Sequence, residues 1–191
     1  PAEVLMERAG LGVAEKILSY FSSERYKRIL IICGPGNNGG DGMVCARYLW
    51  DKDYEVKVGL LCQREKYKGE ALINLKILEN LNLSLEEIEN ISNFRNLLHF
   101  YSPDILVDAI FGTGLKRIVE GYFKEVIDEI NIYREKKGAK VVAIDIPSGI
   151  CADNGQILGT AIRADLTVTF ELPKVGHFFY PGKEHIGRLE I

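Results

Sequence analysis

Cysteine and histidine are scarce in this 191-residue sequence, and their placement excludes several kinds of chemistry. The four cysteines (Cys33, Cys45, Cys62, Cys151) lie far apart and form no C-x-x-C pair. That pattern excludes a disulfide framework and a cysteine-based zinc site, and predicts reduced, mostly buried thiols in a cytoplasmic compartment. Cys151 is the only cysteine expected in a loop. With only His99, His177 and His185 to activate it, a cysteine nucleophile is disfavoured. No apolar run reaches the roughly 18 residues of a membrane-crossing helix, so no membrane partner is expected. A net charge of −3 with no basic cluster flanked by aromatics argues against nucleic acid. The densest basic run, residues 134–140 (REKKGAK), reads as a solvated helix end. No repeat, low-complexity tract or Ser/Gly/Pro linker divides the chain. With 47% hydrophobic and 27% charged residues, it has the composition of one ordinary globular domain.

What is present is an alternation of strand and helix patterns. An opening helix carries Val4, Leu5, Ala9, Val13, Ala14, Ile17 and Leu18 at helical spacing. Strand Arg28–Cys33 follows, then a glycine-rich segment and a helix to about Asp51. Next come strand Glu55–Cys62, a helix over about Gly69–Asn82, a weak strand at Leu85–Ile91 and a short helix Phe94–Tyr101. Asp104–Phe111 (DILVDAIF) is an apolar strand, followed by a helix over about Val119–Lys137 that Gly138 stops. Ala139–Ile146 (AKVVAIDI) is another buried strand. Asp165–Leu172 alternates in β fashion, and Gly187–Ile191 reads as a last strand. Near-continuous apolar strands separated by helices predict an α/β fold whose mainly parallel sheet is covered on both faces.

Ile29 to Gly42 reads ILIICGPGNNGGDG, an apolar strand running into a glycine loop that opens a helix. Glycine in such a loop permits positive φ and close approach of phosphate to the main chain. The following helix start presents free N–H groups to an anion. Gly34, Gly36 and Gly39 fit G-x-G-x-x-G, yet the second strand ends in Leu61-Cys62-Gln63 without the ribose-binding carboxylate of an ordinary dinucleotide site. No Lys-Ser or Lys-Thr pair follows the glycines, which excludes a phosphate-binding P-loop.

Two further apolar strands end in glycine turns with polar groups. One carries Asp108 within DILVDAIFGTGL, the other Asp145 followed by Pro147-Ser148-Gly149. A carboxylate in such a strand is costly unless paired, hydrogen-bonded or metal-bound. Strand carboxyl ends are where open parallel sheets bind ligands. Asn38, Asp108 and Ser148 offer oxygen ligands, which suit a hard cation better than zinc.

In order, GPGNNGGDG, VDAIFGTGL, AIDIPSG and ADLTVTFELPKVG resemble the YjeF N-terminal domain family, the NAD(P)H-hydrate epimerases. The resemblance runs from LMERAG (Leu5–Gly10) to GRLEI and so spans essentially all of residues 1–191 as one domain. It implies a three-layer Rossmann-like fold and an isomerase that interconverts the R and S forms of hydrated NADH or NADPH (NAD(P)HX), a nucleotide-repair reaction. An ADP- or ATP-dependent dehydratase, often fused after this domain, is the implied partner. A start at Pro1 inside a helical pattern is what a piece of a longer, multifunctional polypeptide would show. The pattern of the opening helix fits a homodimer interface and packing on its own domain equally well.

The resemblance also implies site residues. Asn37, Asn38, Gly39, Gly40 and Asp41 would form one substrate-binding loop. Gly112, Thr113, Gly114, Leu115, Lys116, Arg117 and Ile118 would form a second. Asp145 would contact the substrate, and Asn38, Asp108 and Ser148 would hold a potassium ion. Apart from the resemblance, the carboxylate of Asp145 suits the acid/base role that epimerising a carbinolamine requires. A non-catalytic binding or scaffold domain of the same fold is the alternative reading. An NAD(P)-dependent oxidoreductase is a poorer one, because His177, beside Phe178-Phe179, reads as a packing residue.

Overall fold

The computed structural model describes residues 1–191 as a seven-stranded sheet in which every pair is parallel. The strands are β1 (Arg28–Cys33), β2 (Glu55–Leu60), β3 (Ser84–Glu87), β4 (Ile105–Ala109), β5 (Lys140–Ile144), β6 (Leu166–Val168) and β7 (Arg188–Glu190). They lie in the order β3-β2-β1-β4-β5-β6-β7. The helices are α1 (Ala2–Tyr20), α2 (Asn37–Trp50), α3 (Gly69–Asn80), α4 (Ile91–Tyr101) and α5 (Gly121–Lys137). Burial of β4 and of nearly all of β1 and β5 explains their continuous apolar character.

Alternate strand residues feed two cores. Ile29, Ile31, Val107 and Val142 pack with α1, α2 and α3 on one face. Leu30, Ile32, Leu106 and Val141 pack with α4 and α5 on the other. The chain thus forms three layers. The strand order reverses between β1 and β4, which pair directly. Their carboxyl ends diverge into segments on opposite faces and leave a crevice there.

Two sequence expectations change. Asp165–Leu172 forms only the short β6 before the chain turns into 3₁₀ segments at Val175–His177 and Gly182–His185. The alternation there reflects inward threonines, Thr167 and Thr169, both fully buried. The glycine loop is also no loop. Asn37 through Asp41 are the first turn of α2, and none of Gly34, Gly36, Gly39 or Gly40 has positive φ.

Weak helix formers open this helix because of packing, which overrides propensity. A Cβ at Gly39 would lie 1.9 Å from the Gly34 carbonyl oxygen, so only glycine lets α2 rest on the end of β1. Gly10 does the same for α1, where a Cβ would meet Val44 at 2.4 Å and the Asp41 carbonyl at 2.6 Å. Helix α1 is also fastened at its side. Glu7 accepts from Arg47 at 2.6 Å and from Tyr48 at 2.7 Å, and Glu190 of β7 accepts from Lys16 at 2.7 Å. The opening helix therefore packs on its own domain.

Candidate active site

The crevice is built first from α2. Gly36 enters the helix in extended conformation, and no side chain caps the turn. The N–H groups of Asn37, Asn38 and Gly39 have no carbonyl earlier in the helix to bond. They and the helix dipole favour an anion at this point. Asn37 is exposed at the mouth. Asn38 is buried behind it, and its amide nitrogen has no hydrogen-bond partner. Gly112 leaves room for that amide, since a Cβ there would touch Asn38 Oδ1 at 3.4 Å.

β4 and β5 supply a second layer. Asp108, 1% exposed, accepts from the Ser148 hydroxyl at 2.6 Å, the Ser148 N–H at 2.8 Å and the Ile110 N–H at 3.2 Å. Ser148 Oγ in turn accepts the Phe111 N–H at 2.8 Å. Burial pushes the Asp108 carboxyl up to about 6, and the Ser148 and Ile110 hydrogen bonds oppose the rise. No basic side chain lies within ion-pair distance of it. These groups and Asn38 converge on the Phe111–Gly112 turn.

Asp145 ends β5 in left-handed backbone with φ 67°. Aspartate tolerates that region better than bulky residues do. Its N–H donates to the Val168 carbonyl at 2.8 Å. The side chain meets Lys174 Nζ at 3.0 Å and the Thr169 hydroxyl at 3.0 Å, both on Oδ1. Asp41, one helical turn into α2, makes no side-chain hydrogen bond. Burial, with a further contribution from the Asp145 charge, pushes its carboxyl up to about 8.

Two cavities open along this rim. One, of about 740 Å³, is lined by Asn37, Asn38, Asp41, Gly112, Thr113, Gly114, Leu115, Lys116, Arg117 and Asp145. The other, of about 640 Å³, runs under α1 past Met6, Ala9, Thr169, Phe170 and Lys174. Asn37, Asp41, Thr113 and Asp145 line both, so the two carboxylates stand where the cavities join. Three of the expected residues lie elsewhere. Gly39 packs on Gly34 and Gly40 on Met6, while Ile118 faces a neighbouring apolar cavity with Phe111 and Phe123. Asp108 and Ser148 sit beneath the lining. Lys116 is tied to Asp153, whereas the exposed Arg117 has no ion-pair partner.

The second cavity was not foreseen from the sequence. Its signal is Lys174 in ELPKVG, a cation just past a strand that ends on the same rim as Asp145. His177 does pack, fully buried, and it also hydrogen-bonds the Asp145 carbonyl at 2.9 Å.

The chain is similar to known proteins. The family model "YjeF-related protein N-terminus" matches residues 2–176. The chain is 41% identical over 191 residues to the bifunctional NAD(P)H-hydrate repair enzyme Nnr of Thermofilum pendens, covering 99% of this chain and 35% of that protein. It is 44% identical to the Moorella thermoacetica enzyme of the same name, covering 100% of this chain and 36% of that protein. The NAD(P)H-hydrate epimerase of Oenococcus oeni is 39% identical, with 100% of this chain and 85% of that protein covered. The crystal structure of yeast YNL200c superposes with a TM-score of 0.80 at 28% identity, covering 92% of this chain and 73% of that one. The chain thus spans about a third of the bifunctional relatives and most of the monofunctional one. With its sheet order, its α2 turn and its family match in agreement, the chain belongs to the YjeF-related protein N-terminus family.

Proposed function

We propose that this chain is an NAD(P)H-hydrate epimerase, which inverts the hydroxyl-bearing C6 of the hydrated reduced nicotinamide ring. The observation that carries the reading is the pair Asp41 and Asp145, placed together where the two cavities join beside the α2 amides. Inversion at a carbinolamine carbon needs a proton delivered to the departing oxygen and one taken from the returning oxygen. Two carboxyl groups in different protonation states perform both tasks. Asp41, with its carboxyl pushed up to about 8, holds the proton at neutral pH. Asp145, ion-paired with Lys174, accepts one through Oδ2, which has no partner in the protein. The α2 N-terminus and Arg117 suit the diphosphate, which needs no ribose carboxylate in the ordinary position. The names of the relatives agree with this reading.

The donor set also suits a potassium ion. Asp108 is a buried carboxylate without a basic partner, and Asn38 has a buried amide with nothing to bond. Turning that amide over puts its carbonyl oxygen where the unpartnered nitrogen stands, so that Asn38, Asp108 and Ser148 offer an all-oxygen set. Bound there, potassium would supply fixed positive charge and tie α2, the Phe111–Gly112 turn and the Ser148 turn in register. Thermal unfolding tests this directly. Potassium chloride should raise Tm above an equal concentration of choline chloride, and Asp108→Asn should abolish the difference. Equal Tm in the two salts would remove potassium from the account. The fused or separate dehydratase and the cytoplasmic setting belong to the same proposal.

The Asp41 proton makes a pH prediction. Interconversion of the epimers should be steady toward neutral pH and fall as pH rises through about 8, where the acid is lost. Asp41→Asn should remove both the activity and that limb. The stability consequence has the matching sign. The folded value lies above the ordinary 3.8, so the proton's contribution is complete at low pH and lost as pH rises toward 8. The Asn variant should therefore gain Tm over the wild type progressively between pH 4 and 8. A constant Tm difference across that range would refute the buried, protonated Asp41.

A further inference from the structure

Asp145 is held more elaborately than a substrate contact requires. Lys174 Nζ has three donors and three acceptors around it: Asp145 Oδ1 at 3.0 Å, Thr169 Oγ1 at 3.0 Å and the Phe170 carbonyl at 2.9 Å. None is left over for a ligand, although Lys174 lines the cavity. Thr169, having accepted from Lys174, donates its own proton to Asp145 Oδ1 at 3.0 Å. Both contacts fall on one oxygen and leave Oδ2 free.

The backbone beneath is fastened by His177, which is fully buried. Its Nδ1 accepts the Lys174 N–H at 3.0 Å, so Nε2 carries the ring proton and donates to the Asp145 carbonyl at 2.9 Å. One imidazole thus couples the main chain of Lys174 to that of Asp145, whose left-handed φ needs outside support.

We propose that Lys174, with Thr169 and His177, is a positioning device for Asp145. It binds Oδ1 and the backbone so that Oδ2 alone faces the substrate. The proposal rests on the epimerase reading for its kinetic consequences but not for its structural one. The other charged groups lining the two cavities with Asp145 are Asp41 from α2, Arg8, Glu15 and Lys16 from α1, Glu70 from α3, Lys116 and Arg117 after β4, and Glu171 beside Lys174. Of the cations among them, only Lys174 touches the carboxylate.

Lys174→Met keeps the stem's bulk and removes the charge. It should lower kcat about 10²-fold with little change in KM, as expected for a misplaced catalytic group. In Lys174→Ala, added ethylamine should restore part of kcat, which a merely structural role would not allow. Thr169→Val, close in shape, should lower kcat less and leave KM alone.

Crystal structures of wild type and Lys174→Met read the positioning without any activity. An Asp145 carboxylate that leaves its wild-type orientation in the variant supports the device. That change together with an inactive wild type would sink the epimerase reading and leave the device standing. An unmoved Asp145 side chain, or a Lys174→Met enzyme with wild-type kcat, would overturn it.

Discussion

Asp145→Asn should lower kcat for epimer interconversion by about 10² to 10⁴, the usual worth of one acid/base group. The substitution is chemically narrow. Asparagine tolerates left-handed backbone as aspartate does, so φ of 67° adds no new strain. Its Oδ1 can still accept from Thr169 and Lys174. What changes is the atom facing the cavity, from an oxygen that accepts a proton to an amide nitrogen that cannot. Tm should therefore stay close to that of the wild type, and KM should move little, while turnover falls. Parallel losses in Tm and turnover would mean that the residue supports the fold instead. Wild-type turnover would remove Asp145 from the chemistry.

Gly39→Ala should strongly destabilise the start of α2. Its Cβ would lie 1.9 Å from the Gly34 carbonyl oxygen, a contact between two backbones with no flexible side chain to yield. Gly34 cannot retreat, because its own N–H is bonded to the Ala109 carbonyl at 2.9 Å. The start of α2 must lift instead, which turns its free amides away from the crevice. We expect a loss of about 3 kcal/mol, the upper range for overpacking. For a chain of this size that lowers Tm by roughly 6–12 °C. Gly12→Ala in α1, where a Cβ meets nothing within 4 Å, is the control and should be neutral or slightly stabilising. Equal Tm for the two variants would contradict the packing explanation of the glycine turn.

The layered parallel fold was legible because β1, β4 and β5 are buried on both faces and so read as unbroken apolar runs. Asp108 and Asp145 stood out for the same reason, as polar residues where burial forbids them without partners. The helical state of Asn37–Asp41 was hidden, since local propensity favours a loop and only the contact with Gly34 makes it a helix. Lys174 and the α1 wall were missed for a different reason. Lys174 meets Asp145 across β6, 29 positions away, and Lys16 of α1 meets Glu190 at the sheet edge; no periodicity within a segment reports such a meeting. His177 illustrates the limit well. Its burial was foreseen from the neighbouring phenylalanines, but its hydrogen bonds to both Lys174 and Asp145 depend on the turn at Val175–His177.

The most direct measurement mixes the protein with one purified epimer of hydrated NADH or NADPH and follows both epimers by chromatography. The account predicts rapid approach to the equilibrium mixture with wild type and near-background rates with Asp145→Asn. A wild-type rate no faster than the spontaneous interconversion, from a folded chain supplied with potassium, would contradict it.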